Sequence, residues 1–81
     1  MSDRINIAFG RVFKRLRLER GWTHVSVNAD FCFGRRYLCD VEHGKRNVSL
    51  DFIVKTANMF GLTVYELIEM VEQEDMKLPT L

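Results

Sequence analysis

Arg35 and Arg36 stand side by side, followed by Tyr37, at the start of the stretch FGRRYLCDVEHGKRNVSL that spans residues 33–50. A guanidinium holds its N–H donors in a rigid plane and pairs bidentately with O6 and N7 of guanine in the major groove of DNA. Behind Gly44, Lys45 and Arg46 stand in a short basic loop suited to phosphate oxygens, which fix register without reading sequence. The alternative for all four side chains is ordinary solvated surface. Against it, cations in the first turn of a helix oppose the helix dipole, a placement that makes sense where a polyanion compensates.

The elements that must hold these residues are helices. Ile5, Phe9, Val12, Phe13 and Leu16 recur at helical spacing and predict a helix over about 3–20, with Gly21 as its C-terminal cap. Thr23 is a good N-cap for a short helix over about 24–30, and Phe31-Cys32-Phe33-Gly34 reads as the turn after it. A third helix over about 35–43 turns Leu38 and Val41 inward and carries both arginines in its first turn. Ser49 caps a fourth, whose expected buried stripe is Leu50, Ile53, Val54, Ala57 and Phe60, ended by Gly61. Thr63-Val64-Tyr65-Glu66 has the form of a capping box for a fifth, with Val64, Leu67, Ile68 and Val71 as its apolar positions and Pro79 marking a frayed tail. No stretch reads as a strand, and the class is all-α.

Eighty-one residues suit a single domain near the size at which one core becomes marginal, so a partner surface and a dimer are expected. The net charge of +1 hides an asymmetry: residues 1–49 hold ten Lys/Arg and five Asp/Glu, a net of +5, whereas residues 50–81 carry a net of −4. Charge separated along the chain matters more to a polyanion than its net value. No apolar run approaches membrane-spanning length, the N-terminus lacks a signal-peptide pattern, and two cysteines are too few for a disulfide scaffold. A cytoplasmic protein is the expectation. His24, Cys32, Cys39 and His43 have a spacing that matches no common zinc site. Phosphate loops, nucleophile motifs and paired carboxylates are lacking too, so neither an enzyme nor a cofactor or metal is expected.

With the helices placed, the chain resembles the lambda-repressor-like helix-turn-helix family, which includes phage repressors, Cro-like proteins and restriction–modification controllers. The resemblance runs from about Phe9 to Ile68. Phe9-Gly10, Leu16-Arg17, Gly21, Thr23, Tyr37-Leu38, Val41-Glu42, Gly44, Lys45-Arg46-Asn47 and Ser49-Leu50 carry it. Arg46-Asn47-Val48-Ser49-Leu50 is closest to the controllers. Departures from the family pattern fall at His24, Asn28 and Cys32.

The resemblance implies a five-helix helix-turn-helix domain over 1–81, its core at about 9–68 and residues 69–81 forming the end of the last helix and an acidic tail. By position, Arg35, Arg36, Tyr37, Cys39 and Asp40 would face base edges, with Asp40 accepting from cytosine. Thr23, His24, Lys45, Arg46 and Asn47 would meet phosphates, with Arg11 at the edge. Arg17 and Glu42 match a family pair that joins the first helix to the third beneath the DNA surface. Phe52, Met59 and Tyr65 fall at the edge of the expected stripes and make a candidate two-fold patch, which the family extends to Leu62, Leu67 and Ile68. The expected function is a sequence-specific transcriptional regulator, a restriction–modification controller by the closest match. It would hold a pseudo-palindromic double-stranded operator as a homodimer and block or recruit RNA polymerase. Whether dimers pair further stays open. So do a phage-type repressor, an antitoxin, and a helix-turn-helix fold serving as a protein-interaction module. The exposed apolar residues and the departures in the second helix favour the last.

Overall fold

Ala8, Phe9, Val12, Phe13 and Leu16 lie three and four residues apart, so a helix carries them on one face, and that face is the centre of the molecule. The computed structural model describes residues 3–31 and 33–79, without the side chains of Asp3, Asp30 and Phe31. Its elements are α1 (Asp3–Glu19), α2 (His24–Phe31), α3 (Arg35–Glu42), α4 (Leu50–Met59) and α5 (Val64–Lys77). Every element among the described residues is helical. Helix α1 is the spine, packing along α5 on one side and α3 on the other.

Local chemistry sets the helix ends. The Ser49 hydroxyl accepts from Phe52 N–H at 3.1 Å, and Thr63 with Glu66 closes a reciprocal capping box. At the start of α2, Thr23 and Ser26 cap each other in the same sense, each side-chain oxygen accepting from the other's backbone N–H. Helix α3 closes when Gly44 N–H reaches Val41 O and Lys45 N–H reaches Asp40 O, the Schellman pattern with its left-handed residue at Gly44.

Aromatic rings fill the interior. Phe13 stacks on Phe52 and meets Phe60 edge-on, both at 5.8 Å between centroids. Trp22 stacks on Phe60, and the Arg20 guanidinium covers both rings while donating to Phe60 O at 2.9 Å.

Two helices are rotated from the expected register. Helix α4 buries Phe52, Thr56 and Ala57, and Leu50 and Val54 face solvent, Leu50 at 79% exposure. Burying Thr56 costs little because its hydroxyl donates to Phe52 O at 2.8 Å within the same helix. Helix α5 buries Leu67, Val71 and Glu74, and Val64 and Ile68 stand largely exposed. Glu74 can lie inside because α1 supplies its partners: Arg15 Nη1 at 2.9 Å and Arg11 Nη1 at 3.6 Å. The Arg15 hydrogen bond holds the Glu74 carboxyl below the usual range, against the opposing effect of burial and with help from the charges of Arg15, Lys77 and Arg11.

The segment up to Pro79 is tied to α1, and the rest of the expected frayed tail lies outside the described residues. Leu78 is buried, and Arg4 donates to Asp75 O at 2.7 Å and to Pro79 O at 2.8 Å. The acidic segment therefore serves partly as an anchor for α1.

Candidate nucleic-acid interface

Helix α3 is short, and its position is set by α1. Arg17 in the last turn of α1 donates from Nε to Glu42 Oε2 at 2.6 Å and from Nη2 to Oε1 at 3.0 Å, a fork on the last residue of α3. Its third nitrogen, Nη1, donates to Trp22 O at 2.8 Å. Both side chains are almost wholly buried, so the cost of desolvating two charges is offset by the fork geometry and the further bond to Trp22 O. Midway along α1, Gly10 lies directly beneath the end of α3: a Cβ there would run into Val41 O and stand 2.8 Å from Glu42 O. Only glycine allows the two backbones this close.

The other end of α3 is held by one of the departures from the family pattern, in a role that pattern reading did not reveal. Asn28 in α2 accepts from Gly34 N–H at 2.6 Å through Oδ1, tying α2 to the N-cap of α3 across the turn. Its signal in the sequence was a polar amide within a short helix, six residues before a glycine. Cys32, part of the expected turn and of the zinc alternative, lies outside the described residues.

Above this frame, Arg35 and Arg36 are exposed in the first turn of α3, where no side chain caps the helix and no acidic residue stands. Among the described residues neither arginine side chain has an ion pair or a hydrogen bond. Tyr37 is half-buried, its ring against Phe33 and Phe52 and beneath the Arg46 guanidinium. Cys39 is partly exposed, its Sγ 3.6 Å from His43 Nδ1 one turn on. Lys45 and Arg46 are exposed in the loop, and Asp40 faces Arg46. Asn47 accepts from Asn6 Nδ2 at 2.6 Å, which fastens the loop to α1, and Thr23 is exposed at the start of α2.

Three expected positions need correction. The His24 Nε2 is buried 3.1 Å from Glu42 Oε1, without the alignment of a hydrogen bond, so it faces the Arg17–Glu42 pair and not a phosphate. Phe52 and Leu67 are fully buried in the core and cannot line a surface between two protomers. Of the expected interface residues, Met59 and Leu62 are half-buried, and Tyr65 and Ile68 are exposed. Leu50 and Val54, one turn apart, are further exposed apolar residues on α4, the helix that packs on α5. Arg11 leans on Glu74 and is otherwise exposed.

No family model matches the chain. The control protein C.MunI from a Mycoplasma species is 39% identical over 75 residues, covering 91% of this chain and 100% of that protein. The solved restriction–modification controller C.AhdI from Aeromonas hydrophila is 32% identical, with a TM-score of 0.69 over 76% of this chain and 94% of its own. A second solved controller, C.Esp1396I, seen as a tetramer on its natural 35-base-pair operator, shares the fold at a TM-score of 0.77. It is 22% identical and covers 90% of this chain and 96% of its own. The fork of Arg17 on Glu42, the open basic start of α3 and the likeness to C.MunI along that protein's whole length agree: the chain belongs to the restriction–modification control proteins, helix-turn-helix regulators of transcription.

Proposed function

We propose that the protein binds a pseudo-palindromic operator in double-stranded DNA as a homodimer and controls transcription of restriction–modification genes. The observation that carries this is the pair of exposed, unpartnered arginines at an uncapped helix N-terminus, on a helix whose other end is locked by a buried ion pair. Arg35 and Arg36 read guanines in each half-site. Thr23, Lys45, Arg46 and Asn47 hold the backbone on either side. Leu50, Val54, Met59, Leu62, Tyr65 and Ile68 form the two-fold contact, placing two α3 helices in successive major grooves about 34 Å apart. Occupancy then blocks RNA polymerase or recruits it, according to where the operator lies. The protein acts in the cytoplasm, as a regulator and not as an enzyme. Among the described residues no helix is long and apolar enough to cross a membrane.

Fluorescence-anisotropy titration of the protein's own upstream DNA against a scrambled duplex, across a salt series, tests this. Each of Arg35→Ala and Arg36→Ala is expected to weaken operator binding by about 1–3 kcal/mol with stability unchanged, and Lys45→Ala to lower the salt slope by about 1. Equal affinity for both duplexes, unmoved by the arginine substitutions, would instead favour a protein-interaction module.

A further inference from the structure

Asp40 lies on α3 where a base-reading residue is expected, yet its carboxylate is turned along the protein surface. Oδ2 is 3.5 Å from Arg46 Nε, and the Asp40 side chain is 22% exposed where that of Arg46 is 49%. The Arg46 guanidinium lies over the Tyr37 ring, 5.2 Å from its centroid. That ring is itself fixed, edge-on to Phe52 at 5.4 Å and tilted on Phe33 at 5.3 Å, and Phe52 is core. The residue before Arg46 is also tied to Asp40, since Lys45 N–H donates to Asp40 O at 2.9 Å. Arg46 thus has a carboxylate at one edge and an aromatic face beneath. Among the described residues its two terminal nitrogens donate no hydrogen bond.

We propose that Asp40 is a positioning residue that holds Arg46 ready for DNA, and that Asp40 itself reads no base. The proposal rests on the operator reading above. A guanidinium flanked at its Nε edge by a carboxylate, in an ion-pair contact without the alignment of a hydrogen bond, leaves the N–H groups of both Nη atoms free for a phosphate or a base edge. Fixing it before DNA arrives removes part of the ordering cost that a free arginine side chain would meet on binding. A mostly buried carboxylate already facing a cation is poorly placed to accept from cytosine. Its charge, neutralised by Arg46, repels the duplex less than a free aspartate would.

Two readouts test this, on variants first shown by thermal melting to remain folded. In the free protein, the Arg46 Nε–Hε NMR cross-peak is expected to stand apart from those of exposed arginines. It should join them in Asp40→Ala and return part of the way in Asp40→Glu. An Arg46 cross-peak unchanged in Asp40→Ala overturns the proposal without reference to DNA.

In DNA binding, Asp40→Ala is expected to weaken operator affinity about tenfold and to have no further effect in an Arg46→Ala background. Base preference should stay the same at every position. Loss of discrimination at one base pair whether or not Arg46 is present would make Asp40 a base reader. Tighter binding in both backgrounds would make it a simple repulsive charge, and either result overturns the proposal. A wild type that does not select operator over scrambled DNA sinks the operator reading. One that does select it, with Arg46→Ala binding equally well, sinks the positioning role alone.

Discussion

Arg17 and Glu42, 25 residues apart in the chain, meet through two parallel hydrogen bonds of 2.6 and 3.0 Å. The fork needs a planar guanidinium, and the third nitrogen is already committed to Trp22 O. Arg17→Lys keeps the charge and loses both the fork and the Trp22 contact, while Glu42→Ala strands a buried cation. Each substitution is expected to cost about 3–5 kcal/mol, measured by urea denaturation. Retained stability in Arg17→Lys would show that charge alone holds α3 in place. DNA binding would be a poor readout for either variant, since it falls with the fold.

Gly10→Ala tests the close approach of α1 and α3. Alanine favours a helix by about 1 kcal/mol over glycine, so a lone α1 would gain from the change. In the folded protein the added methyl collides with the carbonyls of Val41 and Glu42, which are backbone and cannot swing away. A net loss of about 1–3 kcal/mol is expected, with weakened DNA binding as α3 is pushed outward. A variant more stable than wild type would contradict the packing described.

Acid should loosen the contact between α1 and α5. The Glu74 carboxyl is held below its ordinary value by Arg15, so the folded state binds its proton less readily than the unfolded chain. Its contribution is therefore fully present at neutral pH and is lost as pH falls below about 4.3 and on through the folded value. Glu74→Gln should lower stability at pH 7 by about 0.5–1 kcal/mol, since both arginines are half exposed, with the gap from wild type closing at acid pH. A gap that persists unchanged at pH 3 would mean that the side chain acts through packing.

Surface and core residues of the apolar α4–α5 region should separate cleanly. Tyr65→Ser with Ile68→Ser is expected to shift the protein toward monomer in sedimentation with little loss of protomer stability, because both side chains are exposed. Phe52→Ala should cost about 3–5 kcal/mol through the cavity it leaves beside Phe9 and Phe13. An unchanged sedimentation profile in the double variant would remove this face as the two-fold contact.

Most of this architecture was legible along the chain because caps and turns are local. The Thr63–Glu66 box, the Ser49 cap and the glycines after α1, α3 and α4 each depend on residues within one turn. The register of α4 was not legible. Leu50, Ile53, Val54, Ala57 and Phe60 make the more apolar stripe, and the observed one includes Thr56, whose hydroxyl finds its partner inside its own helix. In α5, Glu74 holds a core position because Arg15 and Arg11 arrive from another helix, and a one-dimensional pattern cannot show that. The arginines of α3 were visible as chemistry. The Glu42 half of the hold on α3 was implied by the family resemblance, whereas the Asn28 half emerges only when α2 and α3 are seen together.

Helix α1, 17 residues and about 25 Å long, touches α3 along one side and α5 along the other. On the proposed function, the reading helix α3 and the pairing helix α5 thus both pack directly on the same rod. In a dimer paired through α4 and α5, the distance between the two reading helices is a property of that rod and its packing. One base pair inserted between half-sites displaces a groove by about 3.4 Å and turns it by about a tenth of a revolution. On that proposal the protein is expected to measure length along the duplex as strictly as it reads bases, and a one-base-pair insertion should weaken binding sharply.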